Sequence, residues 1–192
     1  IMAANSDYLI FTDGDCVPRK DCVGVHLARR EPGYFLSGGY SKLPRSTSEL
    51  INKEHIESQQ CFGLQWLRRH GLQRSIKNLK FVAKQWQLES LLNKLTPTVA
   101  SWNGHNASGW KKDMLKINGF DERMGYGAED REFGERLWNL GIKSKGIRYS
   151  AICLHLDHDR SYVSDTVLDR NRQIWDETKK TRRTNTSFGI QI

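Results

Sequence analysis

Asp13-Gly14-Asp15 sets two carboxylates on either side of a glycine, which lets the backbone approach a ligand closely. They follow directly on Tyr8-Leu9-Ile10-Phe11, an aromatic and β-branched run with the composition of a buried strand. Open α/β sheets bind ligands outside the carboxyl ends of their strands, so both side chains would enter a cleft. Two carboxylates this close repel unless a cation is present, and hard oxygen ligands favour Mg²⁺ or Mn²⁺. Such an ion would bridge to a diphosphate. The same residues also suit an ordinary polar turn, and that reading stands beside the metal one. An EF-hand is disfavoured, because Pro18 stands where that loop has its invariant glycine.

A second cluster is Gly125-Tyr126-Gly127-Ala128-Glu129-Asp130-Arg131-Glu132-Phe133. Its glycines free the backbone just before an acidic pair that opens a helix, where the positive end of the helix dipole favours carboxylates. One of these carboxylates could take a proton from a sugar hydroxyl. The plainer reading is helix capping by solvated acids. The third cluster is Cys153-Leu154-His155-Leu156-Asp157-His158, at the end of a strand expected over 147–156. His155 and His158 are three residues apart and face opposite ways along an extended strand, so both reach one ion only if the strand ends between them. A single histidine there is also consistent with a structural hydrogen-bonding role.

The elements that must position these groups alternate. Strands are expected at Tyr8–Phe11, Tyr34–Leu36, Val99–Trp102 and Ile147–Leu156. Helices are expected from Cys22 to before Pro32, from a capping box at Ser46-x-x-Glu49 through about Gln60, at Lys111–Ile117, at Asp130–Leu140 and at Val163–Lys179. Between Leu64 and Leu95 apolar residues recur every three or four positions, as in amphipathic helices broken at Gly71. This order implies an α/β layered fold.

The chain has 192 residues, 38% of them hydrophobic and 27% charged, which suits one globular domain and argues against wholesale disorder. Four scattered cysteines make no disulfide scaffold or zinc knuckle. The sequence shows no spanning stretch and no signal peptide, so a cytoplasmic protein is expected. A net charge of +8 favours an anionic partner. The charge is unevenly spread: residues 61–95 hold seven basic groups and one acid, residues 121–140 six acids and three arginines. The basic stretch, with Trp66 and Trp86, is read either as a solvated helical insertion or as a face that touches an anionic membrane or a lipid-linked acceptor. The last dozen residues are expected to fray.

The run from Asp7 to Pro18 resembles the central strand and metal motif of inverting family 2 glycosyltransferases with the GT-A fold. Asn106-Ala107-Ser108-Gly109-Trp110 through Phe120-Asp121-Glu122, followed by Gly125-Tyr126-Gly127-Ala128-Glu129-Asp130, resembles their acceptor and catalytic segment. It is especially similar to the carboxyl-terminal module shared with galactosyltransferases and chondroitin-type polymerases. The resemblance spans about residues 5–160, without a match over 41–98. It implies a GT-A-type mixed sheet flanked by helices over residues 1–178, a basic helical insertion at about 46–95 and a polar tail over 179–192. It also implies a carboxyl-terminal portion of a longer enzyme, lacking the nucleotide-binding half and weakly active alone.

Position by position, the resemblance assigns Asp13 to the ribose and metal side of the nucleotide sugar and Asp15 to the metal. It assigns Asp130 the role of general base and gives Glu129 and Tyr126 to the acceptor. His155 becomes a metal ligand, with His158 as the alternative. Tyr126 stands where many relatives have tryptophan, and Ala128 replaces a glycine. The implied cofactor is Mn²⁺ or Mg²⁺, the donor a nucleotide-diphosphate sugar, most simply a UDP-sugar, and the acceptor a saccharide or lipid-linked sugar of surface polysaccharide synthesis. The expected setting is the cytoplasm, with peripheral contact at the inner face of the membrane as an alternative, and no nucleic acid is expected. Two other classes fit less of the chain. A haloacid-dehalogenase-like phosphohydrolase would use Asp13 as nucleophile but leaves Glu129, Asp130 and His155 idle. A basic nucleic-acid-binding module lacks any recognition motif.

Overall fold

The computed structural model describes residues 1–159 and 163–190. Two small mixed sheets share the chain. The first has the order β1 (Tyr8–Phe11), β5 (Ala107–Trp110), β3 (Tyr34–Ser37), β6 (Lys143–Gly146). Here β5 runs antiparallel to both neighbours, and β3 and β6 are parallel. The second has the order β2 (Cys16–Pro18), β7 (Ile152–His155), β4 (Gly39–Lys42), with β2 antiparallel and β4 parallel to β7. Helices α1 (Cys22–Arg29), α6 (Lys111–Lys116), α7 (Glu129–Asn139) and α8 (Asp165–Thr181) flank them. This is a mixed α/β fold of helix-flanked mixed sheets, consistent with a GT-A-like glycosyltransferase module.

The expected strand at 99–102 is irregular instead, because Trp102 leaves the surface to anchor the core at 1% exposure. It packs with Leu9, Phe35, Met114, Phe133 and Leu137. The strand that pairs is β5, whose small residues suit its place between β1 and β3; a methyl group on Gly109 would lie 3.1 Å from Met114 Cε. The expected strand over 147–156 splits. A turn closed by Ala151 N–H donating to Ile147 O (2.8 Å) carries the chain from β6 in the first sheet to β7 in the second.

The helix expected from Ser46 to Gln60 breaks into α2 (Arg45–Leu50), α3 (Lys53–Glu57) and a 3-10 turn at Gln60–Phe62. Ser46 is not its cap: Pro44 precedes the first turn, and Glu49 accepts from Arg45 Nε at 2.6 Å instead of folding back on the terminus. Asn52 starts α3 afresh by accepting from His55 N–H. The amphipathic stretch beyond it forms only α4 (Leu64–Arg69), a 3-10 turn (Ile76–Phe81) and α5 (Glu89–Leu95). Left-handed turns at Gly71 and Gln87 interrupt it. Part of this region packs on the second sheet, where Cys61, Phe62 and Leu67 bury Val17, Ile152 and Leu154.

The tail expected to fray is held instead. Thr186 is fully buried; its Oγ1 donates to Asp121 Oδ2 (2.7 Å) and its carbonyl accepts from Asn118 Nδ2 (2.8 Å). Ile190 N–H donates to Asn118 O. Residues 191–192 of that tail lie outside the described residues. No helix among the described residues is long and apolar enough to cross a membrane.

Candidate active site

Strand pairing brings the first and third clusters together. Asp15 immediately precedes β2, whose Cys16 pairs with His155 at the end of β7, and Leu156 N–H donates to Asp15 O (2.9 Å). Because β7 stops at His155, the chain turns and His158 comes back to the same carboxylate. Asp15 Oδ2 lies 3.5 Å from His155 Nε2 and 2.9 Å from His158 Nε2. Ser48 Oγ fixes this turn by accepting from Asp157 N–H at 2.8 Å.

Each imidazole donates from Nδ1 to a backbone carbonyl, His155 to Leu156 O and His158 to Asp159 O, since a carbonyl can only accept. Both Nε2 atoms therefore turn toward the Asp15 oxygen, and Asp15 and His155 bring a carboxylate oxygen and an imidazole nitrogen close enough to share one cation, while His158 is not part of that cluster. Asp15 Oδ1, moreover, is buried without a hydrogen-bond partner. This donor set fits a divalent ion of the Mn²⁺ or Mg²⁺ class. Cys16 Sγ lies within the same 4.8 Å cluster as ligand atoms of Asp15 and His155. Its contact with Cys153 and its burial push the thiol pKa far up, so it stays protonated and does not join a hard-ligand set.

The carboxylates of the other cluster close the same cavity, about 740 Å³ in volume, lined by Asp13, Asp15, Tyr126, Glu129, Asp130 and His155 among others. That size suits a small-molecule site. Every site residue singled out from the sequence, His158 included, faces it. Gly104 is the hinge between clusters: its N–H donates to Asp130 Oδ2 (2.6 Å), and a methyl group there would lie 3.0 Å from Asp130 Oδ1 and 3.4 Å from Asp13 Oδ1. Burial raises the Asp130 pKa to about 6; the Gly104 hydrogen bond opposes this, and the charges of Glu129 and Asp13 add to it. Desolvation and then the Asp15 charge raise Asp13, with His155 partly offsetting them.

Two of the six acids of residues 121–140 are taken up by arginines of the same segment. Asp121 is bound by Arg123, and Glu132 is buried against Arg136, whose guanidinium also donates to Ile117 O and Gly119 O. Glu129 and Asp130 remain for the cavity.

Three residues that sequence reasoning missed shape the site. His105 lines the cavity, set edge-on to Tyr40 at 4.4 Å; its Nε2 is buried without a partner. Burial, then the nearby His155, lower its pKa to about 4, so it is neutral at pH 7. Asn171 on α8 donates from one amide nitrogen to Gly125 O, Tyr126 O and Gly127 O, tying down the glycine loop. Asn106 accepts from His26 Nε2 and donates to Gly39 O and Ala151 O, bracing the loop that presents Gly104. Only the Asn-Gly-His-Asn run at 103–106 hinted at this loop. Ala128 adopts a left-handed φ of 69° at the start of α7.

A family model described as the N-terminal domain of galactosyltransferase matches residues 97–159. That span holds Gly104, Glu129, Asp130, His155 and His158 but not the Asp13–Asp15 motif. Among curated proteins nothing matches. The likeness to a galactosyltransferase domain supports a glycosyltransferase of the broad kind.

Proposed function

We propose that this protein moves a sugar from a nucleotide-diphosphate sugar, a UDP-sugar in the simplest case, to a hydroxyl of a saccharide or lipid-linked acceptor with inversion at the anomeric carbon, as in surface polysaccharide synthesis. One observation carries the reading: Asp15 with the His155 imidazole, and the raised carboxyl of Asp130, line one cavity. Asp15 and His155 would hold Mn²⁺ or Mg²⁺, with Asp13 on the ribose side. When bound, the ion supplies positive charge to the departing diphosphate.

Asp130 accepts the proton of the acceptor hydroxyl as the oxygen bonds to the anomeric carbon. The bond from that carbon to the diphosphate oxygen breaks, and its electron pair leaves with the nucleoside diphosphate. With its pKa near 6, Asp130 is ionised at neutral pH yet basic enough to take a proton. Gly104 N–H steadies its Oδ2 and leaves Oδ1 for the hydroxyl. Glu129, whose Oε2 is buried without a partner, orients the acceptor, and the exposed Tyr126 ring supports its sugar face.

The test pairs a binding and a turnover measurement. Mn²⁺ affinity, read by electron paramagnetic resonance, is expected to fall sharply in Asp15→Asn and to survive in Asp130→Asn. Nucleoside diphosphate release from a donor panel is expected to drop about 10²–10⁴-fold in Asp130→Asn. Unchanged release in that variant removes Asp130 as the base, and equal Mn²⁺ affinity in Asp15→Asn removes the metal site.

A further inference from the structure

Beside the acidic cavity lies a basin of opposite sign. Its volume is about 470 Å³ and its lining includes Lys42, Lys77, Lys80 and Arg148, with no carboxylate among the described residues. The two cavities share Tyr40 and Lys42. A third space, about 420 Å³, shares Glu129 and Asp130 with the first cavity and Tyr40 and Arg148 with the basin. The three spaces are neighbours, with Tyr40 in the lining of each.

Lys80 makes the basin more than a patch of surface lysines. It is buried to 6% exposure, an expensive place for an ammonium, and its Nζ donates to Tyr40 O. One of its three N–H donors is used there, and no carboxylate is paired with it among the described residues. Burial and then the Arg148 charge lower its pKa to about 8, so it remains largely protonated at neutral pH. Three further cations gathered around an unneutralised buried ammonium repel one another, and an anion relieves that repulsion.

We propose that the basin binds an anionic substituent of the acceptor glycan, a carboxylate, sulfate or phosphate, while the hydroxyl to be glycosylated lies at Asp130. The acceptor is accordingly an acidic glycan, engaged at one end by Asp130 and Glu129 and at the other by Lys77, Lys80 and Arg148. That the ligand is an acceptor rests on the transferase reading; that it is anionic rests on the basin.

Calorimetry tests this with four probes: a polygalacturonate tetramer, its carboxyl-reduced neutral counterpart, a sulfated heparin tetrasaccharide, and inorganic pyrophosphate. At least one anionic probe is expected to bind tenfold or more tightly than the neutral tetramer, and the tightest identifies the anion. The Lys77→Ala/Arg148→Ala double variant is expected to lose about tenfold of that affinity and none of the neutral probe's. Lys80→Gln, which can still donate to Tyr40 O, is expected to lose as much with a melting temperature no lower than the parent's. Lys112→Ala/Lys116→Ala on α6 removes the same charge elsewhere and is expected to change nothing.

Equal affinity for the neutral and anionic tetramers overturns the proposal, as does an equal loss in the α6 control. Phosphatidylserine vesicle binding that depends on Lys77 and Arg148, with oligosaccharide binding untouched, overturns it in favour of a membrane surface. None of these readouts needs turnover, so failure of sugar transfer, seen as no diphosphate release, is distinguished from failure of the basin.

Discussion

Asp130→Asn should stabilise the protein while slowing its chemistry about 10²–10⁴-fold, and the gain should depend on pH in a defined direction. The carboxyl is raised from 3.8 to about 6 in the folded chain, chiefly by burial. A raised acid pKa means that the folded state holds its proton more tightly than the unfolded state. The ionised form is therefore a liability of the native state. The cost is absent below about pH 4, grows between pH 4 and 6, and is complete above the folded value. A shift of roughly two units corresponds to about 3 kcal/mol at 1.36 kcal/mol per unit, and exposure of the cavity to water reduces this to about 1–2 kcal/mol. Asparagine carries no charge and can still accept from Gly104 N–H through its carbonyl oxygen, so the substitution removes the penalty with little loss of contact. Urea unfolding of both proteins in EDTA, at half-unit steps from pH 4 to 8, measures it. The variant's advantage should open across pH 4–6 and stay level above. A constant difference across that range, or a variant that weakens as pH rises, would refute the burial of Asp130 and the basicity argued from it. The same ionisation predicts an acid limb near pH 6 in the turnover rate.

Ala128→Gly relieves a left-handed backbone that costs an L-residue about 1–2 kcal/mol, less the extra entropy of glycine; a gain of about 0.5–1 kcal/mol is expected, and a loss would show that the alanine methyl packs. Asn171→Leu strips the partner from three loop carbonyls; it should cost about 2 kcal/mol and speed proteolysis within 125–128, and an unchanged cleavage rate would remove Asn171 as the loop's tie. Arg136→Met leaves Glu132 charged and buried, for a loss of about 3–5 kcal/mol, most of which Glu132→Gln in the same chain should restore; no recovery in the double variant would assign the loss to the carbonyl contacts at Ile117 and Gly119 instead.

The sequence exposed those elements whose residues pack in a regular pattern. Tyr8–Phe11 is apolar throughout and forms β1 within the limits expected of it, and the helix expected at 130–140 forms as α7 over 129–139. Among the strands that escaped are two made largely of polar or small residues. Lys143–Gly146 forms β6 by pairing with β3, and β5 is Ala-Ser-Gly-Trp; neither has hydrophobic alternation, because long-range pairing selects them and local preference does not. The Leu64–Leu95 pattern misled in the opposite way. Its apolar spacing is helical, yet Ile76, Leu91 and Leu95 are exposed, so no surface holds their shared face and short pieces form between left-handed turns.

The site was legible for a different reason. Three times the chain passes from the first sheet to the second: between β1 and β2, between β3 and β4, and between β6 and β7. Asp13, Gly14 and Asp15 make up most of the first passage, Gly38 lies in the second, and Arg148 in the third. The first two passages are short and carry a glycine, the third holds the buried Ile147 and Ala151, and the site gathers beside these crossings. The carboxylates and imidazoles there announce their chemistry by type. Asn106 does not, although its amide bonds to Gly39 O and Ala151 O and thereby clamps the second and third passages to each other. Gly38 carries no side chain because a methyl group would sit 2.3 Å from that amide. Asparagine and glycine are ordinary loop residues on the page, and only the meeting of two sheets gives them their work: fixing the loop from which Gly104 steadies Asp130.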